Sequence, residues 1–306
     1  MPTPPICPRP ARRWPISPPN TTGGRMRDSL LPDPSPRGLA RAIGAMFAHA
    51  SVSSELAANG HSSQIGNLRS DGPLVLRKSN PKGPEPLTHR DPGVARVMLA
   101  AGTAGPLGGD GYRFDVHVGA GSTMVLTEAS ALLLLPGISG ARSRFAINIT
   151  VEAGATLVWW AEPIIAAQHC NHHHEVRISL APSARMILRE EMILGRHGET
   201  PGDFTSRLRI TRDGAPLYDQ QLEFGPKAAG FDGAAVLGAA RATGSVIAVD
   251  PAWQDAPPQA QPYHPQAVLT PLAGPGVAIA AVAPDSLELR NLLTQGLQYL
   301  GPPWAI

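Results

Sequence analysis

The 306-residue chain is poor in cysteine, with only Cys7 and Cys170, in lysine, with three, and in aromatic residues, at 5%. Two thiols cannot build the disulfide framework that holds small secreted domains together. An excess of one charge is missing too: 26 basic against 24 acidic side chains leave a formal net charge of +2, and charged residues total 16%. A chain this close to neutrality lacks the electrostatic footprint of a dedicated nucleic-acid binder. No apolar run approaches the roughly 18–20 residues that span a bilayer; the densest, Ala131–Leu135, is closed by Pro136. The N-terminus is basic but has no continuous apolar stretch, so it does not read as a secretory signal. G-x-G-x-x-G and Walker-type phosphate loops and the G-x-S-x-G elbow are also absent. The expectation is a soluble, cytoplasmic protein that is not an enzyme and binds neither nucleic acid nor membrane. In excess are 32 glycines, 33 prolines and 23 arginines, part of which reflects a GC-rich codon bias.

Residues 1–45 hold 11 of the prolines, all before Arg37, with scattered arginine and almost no aromatics. Such a stretch cannot bury enough apolar surface to offset its ordering entropy, so a disordered Pro/Arg-rich extension is expected. Leu39–Ala58 reads as a weak helix without a clear apolar stripe. From Gln64 onward the pattern is that of strands. Leu74-Val75-Leu76 follows the turn Ser70-Asp71-Gly72-Pro73, and residues 112–118, 145–151, 174–180 and 206–210 alternate apolar and polar with period two. Four segments beginning at Val116, Ile149, Ile178 and Ile210 align without gaps: V-H-V-G-A-G-S-T-M-V-L, I-T-V-E-A-G-A-T-L-V-W, I-S-L-A-P-S-A-R-M-I-L and I-T-R-D-G-A-P-L. Each reads as strand, tight turn and return strand, repeated about every 30 residues. The fold expected is mainly β, with stacked β-hairpins over residues 112–225 in a β-helix-like solenoid occupying 46–306; an ordinary sandwich with similar hairpins would read the same way. Further strands are expected at Ala235–Ala242, Ser245–Val249 and Val277–Val282. Pro284-Asp285 then opens a helix over about 285–300, with leucines at helical spacing and Glu288 at the third helical position.

The run Q-H-C-N-H-H-H-E at 168–175 offers His169, Cys170, His172, His173, His174 and Glu175 as ligands for a borderline metal. On a strand, His172 and His174 share a face with Val176 and Ile178, while His173 and Glu175 point the other way. Two imidazoles at i and i+2 need a further ligand from elsewhere. A metal-dependent all-β enzyme using this cluster is the competing reading, although a cupin-type motif fails because Glu175 directly follows His174. Solvent-facing histidines without any role are the plain alternative. Asp110, Asp115, Glu128, Glu162, Glu190 and Glu191 sit at strand ends. On a strand one of Glu190 and Glu191 faces inward, and a buried carboxylate needs a cation or a salt bridge such as one to Arg189 or Arg196. Trp159 and Trp160 cannot share one strand face.

The ordered strings P-L-G-G-D (106–110), Glu162-Pro163 with Ile164-Ile165, L-A-P-S-A-R (180–185), L-R-E-E-M-I-L-G-R-H-G-E (188–199), G-F-D-G-A-A-V-L-G (230–238), V-I-A-V-D-P (246–251) and L-A-G-P (272–275) run through about 230 residues. Together they make the chain resemble the UreD-type (UreH-type) urease accessory proteins of high-GC actinobacteria. The resemblance implies a β-helix-like nickel-metallochaperone scaffold without turnover of its own. It implies as partners an F-type accessory protein, a G-type GTPase and apo-urease, with Ni²⁺ in transit and no tightly bound cofactor. Asp110, Glu162 and Glu191 match family positions on an implied polar interior route for the ion. Two features depart from the family: residues 1–45 match nothing in it, and 169–174 fall where its members carry a variable, His-poor loop.

Overall fold

The computed structural model describes residues 44–80 and 93–304. All but the last two residues of the expected disordered extension therefore lie outside the described residues. The strands, in chain order, are β1 (Phe47–Leu56), β2 (Ser63–Arg69), β3 (Leu74–Lys78), β4 (Ala95–Ala101), β5 (Gly111–Val118), β6 (Thr123–Glu128), β7 (Leu132–Leu134), β8 (Ser143–Val151) and β9 (Thr156–Trp160). They continue as β10 (Ile164–Ala166), β11 (Asn171–Leu180), β12 (Arg185–Leu194), β13 (Asp203–Arg212), β14 (Ala215–Phe224), β15 (Ala242–Val249), β16 (Gln261–His264), β17 (Ala267–Pro271) and β18 (Gly276–Ala283). One α-helix, α1 (Ser286–Leu297), follows them.

The strands form two facing sheets. The first has the order β14-β13-β11-β8-β5-β1-β2, and the second runs β16-β17-β18-β15-β12-β9-β6-β4-β3. Strands β1, β5, β8, β11 and β13 are parallel neighbours, as are β4, β6, β9 and β12, while short β7 and β10 stack in parallel at a third side. The chain thus winds as a mainly β solenoid. The repeat read from the sequence sets its register. Val116 pairs with Ile149, Ile149 with Ile178 and Ile178 with Ile210, and on the return strands Met124 pairs with Leu157 and Leu157 with Met186.

Pairing inside the unit refines the expected hairpins. In the first three units the two strands belong to different sheets and pair with neighbouring coils rather than with each other, so each unit is an arch rather than a hairpin. Gly121 and Gly154 take positive φ (69° and 68°) at the first two bends, where a side chain would be strained. Only the fourth unit is a true hairpin: Asp213 and Gly214, both at positive φ, form the two-residue turn between antiparallel β13 and β14.

Alternation explains the core. Phe114, Val116, Ile147, Ile149, Val176 and Ile178 from the first sheet meet Met124, Leu126, Leu157, Met186 and Leu188 from the second. Each such side chain contributes about 1.5–3 kcal/mol by leaving water. The other face of the second sheet is covered by α1, where Leu289, Leu292, Leu293 and Leu297 pack on Val246, Ile279 and Ile187. The Asp285 carboxylate accepts from the Glu288 N–H at 2.9 Å, capping the helix as the sequence suggests. Trp304 is buried and donates to Asp250 at 2.9 Å, fastening the end of the chain to the body.

Two expectations are corrected. The weak helix over Leu39–Ala58 is, in its described part, mostly strand β1, because Ala48, Ala50 and Val52 alternate inward with period two. The strand expected at Ala235–Ala242 is a run of turns that becomes strand only at Ala242, whereas β15 and β18 occupy the other two expected segments. No helix among the described residues is long and apolar enough to cross a membrane.

Candidate functional site

Between the sheets the apolar filling gives way to a cavity of about 70 Å³, room for more than one water molecule. Its wall on the first sheet is the rung Tyr112–Phe145–His174 together with Ile147 from the next. On the second sheet Thr127, Trp160 and Arg189 share a rung, so Glu128, Ala161 and Glu190 are level one step further along, on the inner face. A methyl group between two carboxylates leaves the space that a larger residue at Ala161 would fill. Glu162 and Glu191 extend the lining, and Leu74, Leu99 and Pro73 border it elsewhere.

The carboxylates differ in their partners. Glu190 is 7% exposed and has no hydrogen bond or ion pair among the described residues; desolvation pushes it up to about 7. Glu128 accepts from the Glu162 N–H at 3.1 Å, and burial of its carboxyl again raises it to about 7. Groups so poised exchange a proton near neutrality and can exchange it for a cation. Glu191 is held instead by two guanidiniums, Arg189 at 3.0 Å and Arg290 of α1 at 3.1 Å. Arg290 also reaches Glu162 at 3.0 Å, while Arg189 stands 3.8 Å from Glu162, donates to the Ala161 carbonyl at 2.8 Å and lies 4.5 Å over the Trp160 ring. Of the adjacent glutamates Glu190 faces the interior and Glu191 faces α1, and the expected Arg189 salt bridge belongs to Glu191 alone. The tryptophans divide likewise, with Trp159 in the inter-sheet core and Trp160 under Arg189.

Asp110 is separate from these glutamates. It is 2% exposed and accepts from Met46 N–H (2.8 Å), Leu107 N–H (2.8 Å) and Tyr112 O–H (2.7 Å), so its contact with the cavity runs through the tyrosine. Asp115 lies on the outer face with His49, Arg113 and Asn148.

The histidine run is split by its strand as the alternation requires. His169 is exposed in the turn before β11, at φ 65°. The Cys170 thiol is buried and pushed up to about 12 by desolvation, which leaves it inert as a nucleophile. His172 and His174 are both buried, their rings 6.2 Å apart, and burial lowers His174 to about 4 and His172 well below the usual range. His173 and Glu175 face outward. Among the described residues, no three His, Cys, Asp or Glu side chains converge closely enough to cage an ion. The site is a string of donors along a cavity with room for water, suited to holding a cation weakly with water completing its shell.

Arg290, Ala161 and Tyr112 were not among the candidates from sequence. Nothing local marks Arg290, because its partners are 99 and 128 residues away.

Residues 48–305 match the family model described as "UreD urease accessory protein". The chain is 42% identical over 236 residues to "Urease accessory protein UreD 2" of Saccharopolyspora erythraea, covering 76% of this chain and 80% of the relative. It is 40% identical over 235 residues to a "Urease accessory protein UreD" of Streptomyces avermitilis (76% and 90% covered), and 38% identical over 278 residues to one of Frankia alni (82% and 92%). With a matching model across most of its length and these relatives covered over four fifths or more of theirs, the chain belongs to the UreD family of urease accessory proteins.

Proposed function

We propose that this chain is a cytoplasmic, non-enzymatic scaffold for the maturation of urease, acting with an F-type accessory protein and a G-type GTPase on apo-urease while Ni²⁺ passes through its carboxylate-lined cavity. The observation that carries the reading is that Glu128, Glu162, Glu190 and Glu191 all line one cavity that opens between the sheets, two of them poised near neutral pH. A carrier must release what it holds, and sparse oxygen donors completed by water suit a cargo better than a cage. Glu162 and Glu191 serve as contacts at the end where Arg290 competes for both. Asp110 serves by fixing Tyr112. No tightly bound cofactor is required.

The experiment is co-expression with the F-type and G-type proteins and apo-urease, reading co-elution, nickel content and urease activity. Wild type is expected to co-elute and to raise both readouts. Ala161→Leu, which fills the cavity without removing a charge, is expected to preserve co-elution and abolish nickel loading. Full activity without this chain, or full loading through the filled cavity, overturns the proposal. The competing reading, a metal enzyme using residues 169–174, gains no support from the strand, which sends alternate members of the run to opposite faces.

A further inference from the structure

Three ring nitrogens in the described part of β11 are buried without a hydrogen-bond partner: His172 Nε2, His173 Nδ1 and His174 Nδ1. Leaving such an atom unmet in the interior has a cost, so each needs an explanation. His173 has its own: it lies on the outer face among Arg142 and Arg144, whose charge disfavours any cation there. The other two stand together on the inner face, 0% and 4% exposed. His172 is held at its other nitrogen by Ser143 Oγ at 2.8 Å, the kind of outer contact that fixes a ring's tautomer and aims its free nitrogen. His174 is held edge-on by Phe145, ring centres 5.6 Å apart, and lines the cavity that Glu190 also lines.

We propose that His172 and His174 form a nitrogen-donor station for a borderline divalent transition metal on the inner face of β11, with His174 at the wall of the cavity that Glu190 also lines and His172 next to it on the same face. Oxygen donors alone hold Mg²⁺ and Ca²⁺ as readily as nickel, whereas neutral imidazole favours the later transition metals. The station therefore gives this cavity a means of discrimination that its glutamates lack. Charge supplies the remaining constraint. Arg142, tied to Thr205, adds positive potential at His172, so a dication sits toward His174, which shares the cavity with the unpaired Glu190. The choice of Ni²⁺ as cargo rests on the function proposed above; the two-imidazole site does not.

The test is Ni²⁺ binding by the purified full chain in millimolar Mg²⁺, with Cu²⁺ as a second probe whose electron paramagnetic resonance reports nitrogen ligands. Wild type and His173→Ala are expected to retain one Mg²⁺-resistant ion with nitrogen hyperfine structure from two imidazoles. His172→Phe and His174→Phe, which place rings of similar size beside Phe204 and Phe145, are expected to lose both signals. Ser143→Ala is expected to weaken binding by about 10-fold. Should the phenylalanine variants fail to fold, X-ray absorption of the Ni²⁺-loaded His173→Ala chain decides: imidazole scattering supports the station, and an all-oxygen shell overturns it. Unchanged binding in folded variants, or no Mg²⁺-resistant binding in wild type, overturns it equally. Urease activation by the wild-type chain is read separately, so failure of the station and failure of the maturation role are distinguishable.

Discussion

Replacing Glu191 or Glu162 by glutamine separates the two carboxylates that Arg290 joins. Glu191 has a fully buried side chain, and its partner Arg189 is 4% exposed. Glu191→Gln removes the charge common to Arg189 and Arg290 and leaves two guanidiniums facing a neutral amide. Breaking a buried pair from one side costs about 3–5 kcal/mol. For a body of this size that corresponds to a fall in Tm of roughly 10 °C. Glu162 is 32% exposed, 3.0 Å from Arg290 and 3.8 Å from Arg189. With water screening it, Glu162→Gln is expected to cost about 1 kcal/mol or less. Urea unfolding followed by circular dichroism measures both, the midpoint moving at constant slope. Arg189→Gln in the Glu191→Gln background is expected to recover part of the loss, because it removes the buried cation left without its 3.0 Å partner, whereas Arg290 keeps Glu162. Equal small costs for the two glutamates, or no recovery in the double variant, would refute the electrostatic reasoning. Glu162→Gln therefore tests the proposed nickel route cleanly, whereas Glu191→Gln confounds route with fold.

Three further outcomes are expected. Glu190 holds its proton up to about pH 7 when folded but only to about 4.5 when unfolded, so its contribution to stability falls as pH rises through that window and is level above it. Glu190→Gln in metal-free protein is therefore expected to gain on wild type by about 2.5 kcal/mol between pH 5 and pH 8; a pH-independent difference in urea midpoints would refute this. Trp304→Ala, which removes a buried indole and its bond to Asp250, is expected to cost about 3–5 kcal/mol in the same assay. In a Cys7→Ser background, Cys170 is expected to resist iodoacetamide at pH 8 in the folded chain and to react once urea unfolds it; rapid native labelling would show that the thiol is not sealed.

The solenoid was legible because its repeat is carried by side chains that must alternate: Val116, Ile149, Ile178 and Ile210 align in sequence and pair in space. Whether a unit is a hairpin or an arch was not legible, since both need a tight bend, and only the choice of pairing partner distinguishes them. Asp213-Gly214 was the exception, a dipeptide suited to a true hairpin turn. Phe47–Leu56 was misread because alanine and serine carry little strand signal until a neighbouring β5 is present to pair with. At the site, the opposite facing of Glu190 and Glu191 followed from period two. Their different fates did not, because Arg290 arrives from a helix 99 residues downstream, and the cavity depends on a small residue, Ala161, that attracts no notice in a string of letters.

The parallel block of the first sheet ends at both sides in an antiparallel strand, β2 against β1 and β14 against β13, and the parallel block of the second sheet ends likewise with β3 on one side and β15 on the other. A self-similar stack has no intrinsic stopping point, because each coil presents the edge its successor needs, and a neighbouring molecule could supply that successor. Reversing the strand direction at both ends removes the matching edge and so terminates growth along the stacking axis. The same device would let a coil be gained or lost between the ends by duplication or deletion of one unit, changing the depth of the interior while leaving both terminal surfaces as they were.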